Sequence, residues 1–166
     1  ASPSPAETPE PVEPETGPSL PEMAHPEAPA EIEVLSEETG AQPLARYATS
    51  GESLPRVFVL RDVEPPSGVE GLAPNALLDS VARVLREQPR LHVRIEGHTP
   101  PSKGTRAARQ LSEQWAEAVK AYLVERGVEA ERVEALGRGS AEPIDTNEMP
   151  EGRARNRRIQ LVVIGR

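Results

Sequence analysis

Short apolar runs alternate with helical stripes between residues 55 and 164, and this alternation limits the possible folds more than any other feature of the chain. Arg56–Leu60 (RVFVL) is apolar on both faces, which predicts a central or well-covered strand. Residues 91–96 alternate apolar and polar side chains, and Arg158–Ile164 alternates in the same way, so each predicts a strand with one apolar face. Residues 132–136 predict a shorter strand between them.

Two stripes of helical spacing lie between these strands. The first has apolar residues three or four apart, with Pro74 suited to the first helical turn and Pro89 ending the helix. Its members are Leu77, Leu78, Val81, Val84 and Leu85. The second predicts a helix over residues 105–126, with Gly127 at its C-terminal cap. Its apolar face is Leu111, Trp115, Ala118, Val119 and Tyr122. Residues 137–152 are rich in turn-forming residues and predict a long loop.

The order of these elements is β-α-β-α-β-β. Helices of a dozen residues or more between strands predict a mixed sheet covered on one face by two helices, which is an α/β sandwich. We place this domain at residues 46–166, with its core at about residues 55–164.

The first 45 residues have a different composition from the rest. They hold ten Glu, ten of the 19 Pro and no Lys or Arg, so the formal charge of −8 divides into −10 in this segment and +2 in the remainder. Such a segment buries too little apolar surface to offset chain entropy, which predicts an extended or disordered linker over residues 1–45. It serves either as a spacer to an anchor or as an inert solubilising tail. Within it, residues 31–36 (EIEVLS) are weakly typical of a short strand or a docking peptide.

Several function classes are disfavoured by composition. The chain has no cysteine, hence no disulfide and no thiolate chemistry, and no apolar run is long enough to span a membrane. The three histidines lack metal-ligand spacing, and no nucleophile is paired with a base, so we expect no cofactor, no metal and no enzyme activity. An arginine run at residues 153–158 is typical of nucleic-acid binding when it stands alone, but a domain charge of only +2 argues against that partner.

An ordered set of short motifs identifies the family that the chain resembles. Gly97-His98-Thr99 ends a predicted strand, Leu111-Ser112 lies in the second helix, and Asn156-Arg157-Arg158 precedes the last strand, with Gly137, Gly139, Pro143 and Asn147 between them. This order and spacing resemble the OmpA-like (OmpA/MotB/Pal) domain of bacterial envelopes over about residues 55–164. The resemblance implies a non-enzymatic clamp on the cell wall in the periplasm, with association to the outer membrane of a Gram-negative bacterium. It also implies a ligand, the zwitterionic diaminopimelate end of the peptidoglycan stem peptide.

The positions that grip this ligand in the family are altered in this chain. There an aspartate follows Gly-His-Thr, an arginine lies one helical turn after Leu-Ser, and an asparagine lies three residues before that leucine. The corresponding residues here are Pro100, Trp115 and Ala108. Pro100 has no carboxylate for an amine, and Trp115 has one indole N–H in place of a guanidinium. Losing two hydrogen bonds to charged groups removes roughly 3–6 kcal/mol, which is on the order of 10²- to 10⁴-fold in affinity.

Two functions therefore remain in view. In the first, a weakened peptidoglycan module binds through residues placed by the resemblance: Thr99, Lys103, Asn156, Arg157 and Arg158. Lys103, Arg106 and Arg109 would help to hold a carboxylate, but none of them replaces the anionic partner of the amine. In the second, the chain is an adaptor that binds another envelope protein through the altered surface around Trp115 and Pro100. Trp115 itself is interpreted either as a core residue or as an aromatic platform, and His98 as a residue that pins the loop.

Overall fold

A computed structural model describes residues 32–63, 71–101 and 104–166 of the chain. The strands are β1 (Glu33–Leu35), β2 (Arg56–Leu60), β3 (His92–His98), β4 (Val133–Gly139) and β5 (Arg158–Gly165). The helices are α1 (Gln42–Ser50), α2 (Ala76–Glu87), α3 (Thr105–Glu125) and α4 (Pro150–Asn156), and a 3-10 turn (Ala130–Arg132) precedes β4. None of the described helices is both long enough and apolar enough to cross a lipid bilayer.

The strands form one mixed sheet in the order β1-β2-β5-β3-β4. The pairs β1–β2 and β3–β4 are parallel, whereas β5 lies between β2 and β3 and is antiparallel to both. Four strands therefore run in one direction and β5 runs in the other. The mixed α/β sheet predicted from the sequence is confirmed.

The core lies between the sheet and the two long helices. All five residues of the α2 stripe are buried, and α2 begins with Asn75 as its cap, whose side chain accepts a hydrogen bond from the Leu78 N–H at 3.0 Å. Pro74 precedes this cap and does not lie in the first turn as predicted. α3 has nearly the predicted bounds, and Gly127 follows it with a φ of +92°.

The buried face of α3 is rotated from the predicted one. Leu111 is 42% exposed, whereas Ala108 and Ser112 are buried. The reason is that Ser112 packs directly on the backbone of Gly97, where a Cβ would lie 2.1 Å from the Ser112 carbonyl oxygen. Only a small side chain fits the helix position that meets this strand, so the larger Leu111 turns outward.

The fold begins earlier in the chain than predicted. Leu35 of β1 is fully buried, and Glu33 pairs with Phe58 of β2. Tyr47 of α1 meets Phe58 edge to face, with ring centroids 5.9 Å apart. The boundary predicted between residues 45 and 46 therefore cuts through α1, and the linker interpretation fails for residues 33–45. Its earlier part, up to residue 31, lies outside the described residues.

The segment between β4 and β5 is also more ordered than predicted. Gly137–Gly139 belongs to β4, and Pro150–Asn156 forms the short helix α4, so the loop predicted over residues 137–152 is confined to residues 140–149. Gly152 lies within α4, and a glycine is needed there because a Cβ would clash with the Thr146 carbonyl oxygen. The close packing of α4 on this loop explains a glycine that the sequence pattern assigned to a loop.

Candidate ligand-binding site

The sheet brings the end of β3 beside the start of β5. His98 is registered with Arg158 in the antiparallel pair, so Thr99 lies opposite Arg157 one residue further on. Residues opposite each other in such a pair have Cα atoms about 4.5–5.5 Å apart. The Thr99 N–H donates to the Gly139 carbonyl at 2.9 Å, which joins the same region to the end of β4. The Gly-His-Thr and Asn-Arg-Arg motifs therefore meet at one edge of the sheet.

Helix α3 is held close against this edge. The Ser112 hydroxyl donates to the Arg109 carbonyl at 2.8 Å and accepts from the Gly139 N–H, also at 2.8 Å. Gly137 permits a second close contact, because a Cβ there would lie 2.5 Å from the Arg109 carbonyl oxygen. These contacts fix the turn of α3 that carries Trp115 next to the strand ends.

Trp115 is the residue that the resemblance aligns with the family's arginine. The indole is 4% exposed and belongs to the hydrophobic core, as its core interpretation predicted. Its Nε1–H has no hydrogen-bond partner among the described residues. The exposed guanidinium of Arg157 stacks over the ring, with its Cζ 5.4 Å from the centroid. The cation of Arg157, directly before β5, therefore lies over Trp115, the α3 residue that the resemblance aligns with an arginine.

We call the residues on this side of the sheet the α3-side site: Thr99, Pro100, Trp115 and Arg157. Thr99 is 4% exposed and its hydroxyl has no partner among the described residues. Pro100 is half-buried, and Ala108 on α3 is 1% exposed. The guanidinium of Arg157 makes no hydrogen bond or ion pair with the described part of the chain. The site therefore presents donors and a cation, and no carboxylate of its own.

The predicted ligand residues do not all lie in the α3-side site. Alternate residues of a strand point to opposite faces, so Arg158 faces away from α3 while Arg157 faces toward it. Arg158 is 7% exposed and donates to the carbonyls of Asn156 at 3.4 Å and Glu142 at 3.1 Å. Burial lowers the pKa of Arg158. Lys103, also predicted as a ligand residue, lies outside the described residues.

Asn156 braces the loop that precedes α4. Its side-chain oxygen accepts from the Ile144 and Asp145 N–H groups at 2.7 and 3.0 Å. Its amide nitrogen donates to the Asp145 carbonyl at 2.8 Å and to the Asn147 side chain at 2.7 Å. These four bonds use the full capacity of the amide, so a ligand contact from Asn156 would require one of them to open.

The other side of the sheet carries a polar network, of which the sequence pattern indicates only the β3 members. We call Glu96, His98, Arg138, Glu142, Arg158 and Gln160 the opposite-face cluster. Arg138 donates to the Glu96 carboxylate at 2.9 Å, and this bond raises the pKa of Arg138. Alternation along the strands was a signal for Glu96 and His98, but nothing local indicated Arg138 or Glu142, which come from β4 and the loop after it.

His98 is held neutral within this cluster. It is 1% exposed, and burial first, then the nearby charges of Arg158 and Arg138, lower its pKa to about 3. The amide of Gln160, oriented by its neighbours, donates to His98 Nε2 at 3.1 Å and accepts from Arg158 Nε at 2.8 Å. Ligand atoms of Glu96, His98 and Glu142 lie within 4.8 Å of one another. Arg138 bridges the two carboxylates, 2.9 Å from Glu96 and 3.9 Å from Glu142, so a guanidinium takes the place that a cation would need.

Sheet order, glycine contacts and the meeting of the two motifs define an OmpA-like domain, and residues 73–157 match the model of the OmpA family. The chain belongs to this family. It is 41% identical over 87 residues to the peptidoglycan-binding protein ArfA of Mycobacterium tuberculosis, which is 52% of this chain and 27% of that protein. It is 42% identical over 90 residues to outer membrane protein A of Bordetella avium, 54% of this chain and 46% of that protein. The match thus spans less than half the length of these relatives.

Solved structures show the same architecture over more of the chain. The cell wall anchor of the T6SS from Pseudomonas aeruginosa superposes with a TM-score of 0.57 at 28% identity, covering 76% of this chain and 96% of that one. The peptidoglycan-associated lipoprotein from Burkholderia pseudomallei gives a TM-score of 0.54 at 29% identity, covering 57% and 81%. These relatives are envelope proteins by name.

Proposed function

We propose that this chain is a non-enzymatic envelope module that associates with peptidoglycan through the α3-side site and so ties an envelope protein or complex to the cell wall. The observation that carries the proposal is the exposed guanidinium of Arg157, which stacks on Trp115 beside the Thr99 hydroxyl and, like that hydroxyl, has no hydrogen-bond partner among the described residues. ArfA is named for peptidoglycan binding and the Pseudomonas structure for cell wall anchoring, which supports the same ligand class here.

The chemistry of the site favours binding over catalysis. A hydroxyl needs a base within hydrogen-bond reach to become a nucleophile, and the Thr99 hydroxyl has no partner among the described residues. His98 faces the other side of the sheet and is neutral, and Glu96 is held by Arg138. The proposed partners are therefore a stem peptide and the envelope complex to which the chain belongs, in the periplasm and near the outer membrane. The tether role of residues 1–31 stays a prediction from their composition.

A second candidate is an adaptor that keeps the fold and binds another envelope protein. The altered positions Pro100, Ala108 and Trp115 favour it, since the usual partner of a ligand amine is gone. The burial of Trp115 argues against the indole as a contact surface for such a protein partner, because a side chain that is 4% exposed offers little area. The contact surface would instead centre on Pro100, Arg157 and the exposed Leu111.

Sedimentation with purified sacculi tests the first candidate. We expect the full chain to pellet, Arg157→Ala to pellet several-fold less, and Arg83→Ala to behave like the wild type. Arg83 is an exposed arginine on α2, so its variant removes the same charge without touching the site. Wild type that stays in the supernatant would reject the peptidoglycan function and leave the adaptor.

A further inference from the structure

We infer that the α3-side site recognises a carboxylate whose neighbouring amino group is acylated, and that it disfavours the same carboxylate beside a free ammonium. This inference rests on the proposed function and names the chemical form of its ligand. In cell-wall terms, the preferred form is a diamino-acid stem whose side-chain amine is closed in an amide, as it is in a cross-link.

The side chains of the site offer hydrogen-bond donors and positive charge, and their one acceptor is the neutral Thr99 hydroxyl oxygen. The Thr99 hydroxyl and the Trp115 indole N–H are both buried and both without a partner among the described residues. An unpaired buried donor costs about 1–3 kcal/mol, so a ligand oxygen that accepts from either group recovers part of that cost. A carboxylate has two such oxygens and is acceptor-only. Arg157 adds a guanidinium, the geometry that best matches a carboxylate.

The start of α3 adds further positive potential. Gly104 caps the helix without a side-chain hydrogen bond, and the first turn holds no acidic residue. Among the described residues no side chain caps the backbone N–H groups of this turn, and the helix dipole favours negative charge there. Arg106 and Arg109 are exposed in the first two turns. Each of these features attracts a carboxylate and repels an ammonium.

The α3-side site contains no carboxylate that could balance an ammonium. Pro100 stands where a side-chain carboxylate would be needed and has neither an acidic group nor an N–H. Asp145, in the loop before α4, is already engaged. One of its oxygens accepts from Arg155 and the other from the Thr146 N–H at 2.6 Å. The hydrogen bond from Arg155 lowers the pKa of Asp145, as expected of a carboxylate that is already paired.

Repulsion sets the size of the preference. An ammonium about 6 Å from the Arg157 guanidinium loses roughly three-fold in affinity in bulk water and more at the lower dielectric of a protein surface. Acylation removes that charge and leaves a flat amide that can pack on Pro100. We expect the acylated form to bind about tenfold more tightly than the free amine.

The experiment compares two probes on the full chain. The first is N-acetylmuramyl-L-Ala-D-isoglutaminyl-meso-diaminopimelate amidated at its L-centre carboxyl, so that its one carboxylate lies beside the free amine. The second is the same compound acetylated on that amine. Trp115 is the only tryptophan, so its fluorescence follows binding directly, and calorimetry supplies an independent affinity. We expect tighter binding of the acetylated probe, loss of both in Arg157→Ala, no change in Arg83→Ala, and a reversed preference in Pro100→Asp.

The outcomes separate this inference from the proposed function. Equal or tighter binding of the free amine by wild type overturns the inference, and so does failure to bind either probe while sacculi still pellet the protein. In both cases peptidoglycan association survives. If neither the probes nor sacculi bind, the proposed function fails and the inference fails with it.

Discussion

Arg157 and Arg158 are neighbours in the chain, yet the two sides of the sheet give them opposite surroundings. On the α3 side, Arg157 is exposed, and within the described ranges its guanidinium has no ion-pair partner and two buried donors beside it have no hydrogen-bond partner. On the opposite face, Arg158 is buried and bonded to two carbonyls, Arg138 is bonded to Glu96, and His98 is neutral. Paired charges stabilise a fold, whereas unpaired donors are available to a ligand. The family motif therefore contains one residue for each task.

The largest expected effect comes from the glycine that lets α3 approach both sets of residues. Gly97→Ala places a Cβ 2.1 Å from the Ser112 carbonyl oxygen. Because this oxygen belongs to the backbone of α3, the clash can be relieved only by a shift of the helix or the strand. We expect a loss of about 3 kcal/mol or more in the free energy of unfolding, measured by urea denaturation. Gly71→Ala is the control because an added Cβ there meets nothing within 4 Å. Equal stability of the two variants would contradict the close contact.

The second prediction separates the two arginines. Arg158→Ala removes the donors to the buried Asn156 carbonyl and to the Glu142 carbonyl, so we expect a loss of about 2–4 kcal/mol in the free energy of unfolding. Arg157→Ala loses only an exposed cation–π contact, about 0.5–1 kcal/mol, yet it should lose binding to sacculi. Unfolding curves and sedimentation of both variants give the comparison. If Arg158→Ala is stable but has lost binding to sacculi, the ligand binds at the opposite-face cluster and not at the α3-side site.

The third prediction concerns pH and the opposite-face cluster. The pKa of His98 is about 3 in the fold against an ordinary 6.5, so the unfolded chain binds the proton more readily between these values. Stability from this group is complete above pH 6.5 and falls as the pH drops toward 3. We expect the free energy of unfolding to fall by about 2 kcal/mol between pH 7 and pH 5.

His98→Gln supplies the control for this window, since it removes the titrating group. Its stability is expected to vary little between pH 7 and pH 5, whatever its absolute value. The paired carboxylate of Asp145 has a lowered pKa and contributes at lower pH, so it does not interfere. The same slope in wild type and variant would show that His98 is not the group responsible.

The smallest expected effect tests the orphan indole N–H. Trp115→Phe keeps an aromatic surface beneath Arg157 and removes a buried donor that has no partner in the described structure. We expect a change of about 1 kcal/mol or less in the free energy of unfolding and a several-fold loss in affinity for the acetylated probe, measured by calorimetry. Unchanged affinity would mean that the indole is only core, and the α3-side site would reduce to Thr99 and Arg157.

Sequence patterns predicted the parts of the fold whose signals are local. The α2 stripe and the bounds of α3 follow from apolar spacing and from Gly127, and both are confirmed. β1 was only weakly indicated, because its three residues are stabilised by pairing with β2, more than 20 positions away. The exposure of Leu111 depends on the contact between Ser112 and Gly97, which no window of α3 alone contains.

The site shows the same division between local and distant signals. The motifs located the edge of the sheet at which Thr99 and Arg157 meet, and strand alternation separates Arg157 from Arg158. The stacking of Arg157 on Trp115 and the bond from Arg158 to the Glu142 carbonyl were not predictable, because they join segments that are 16 or more residues apart. The sequence gives the charge of each arginine, but whether that charge can contact a ligand depends on which residues pack against it in the fold.

The direction of the strands has a mechanical consequence. β1, β2, β3 and β4 are parallel, so the N-terminal end of β1 lies at the opposite end of the sheet from the site at the end of β3. A pulling force applied between the segment before Glu33 and a ligand held beside Thr99 therefore acts along the strands. It loads the hydrogen bonds between β1 and β2 in shear, so that they share the tension instead of opening one after another.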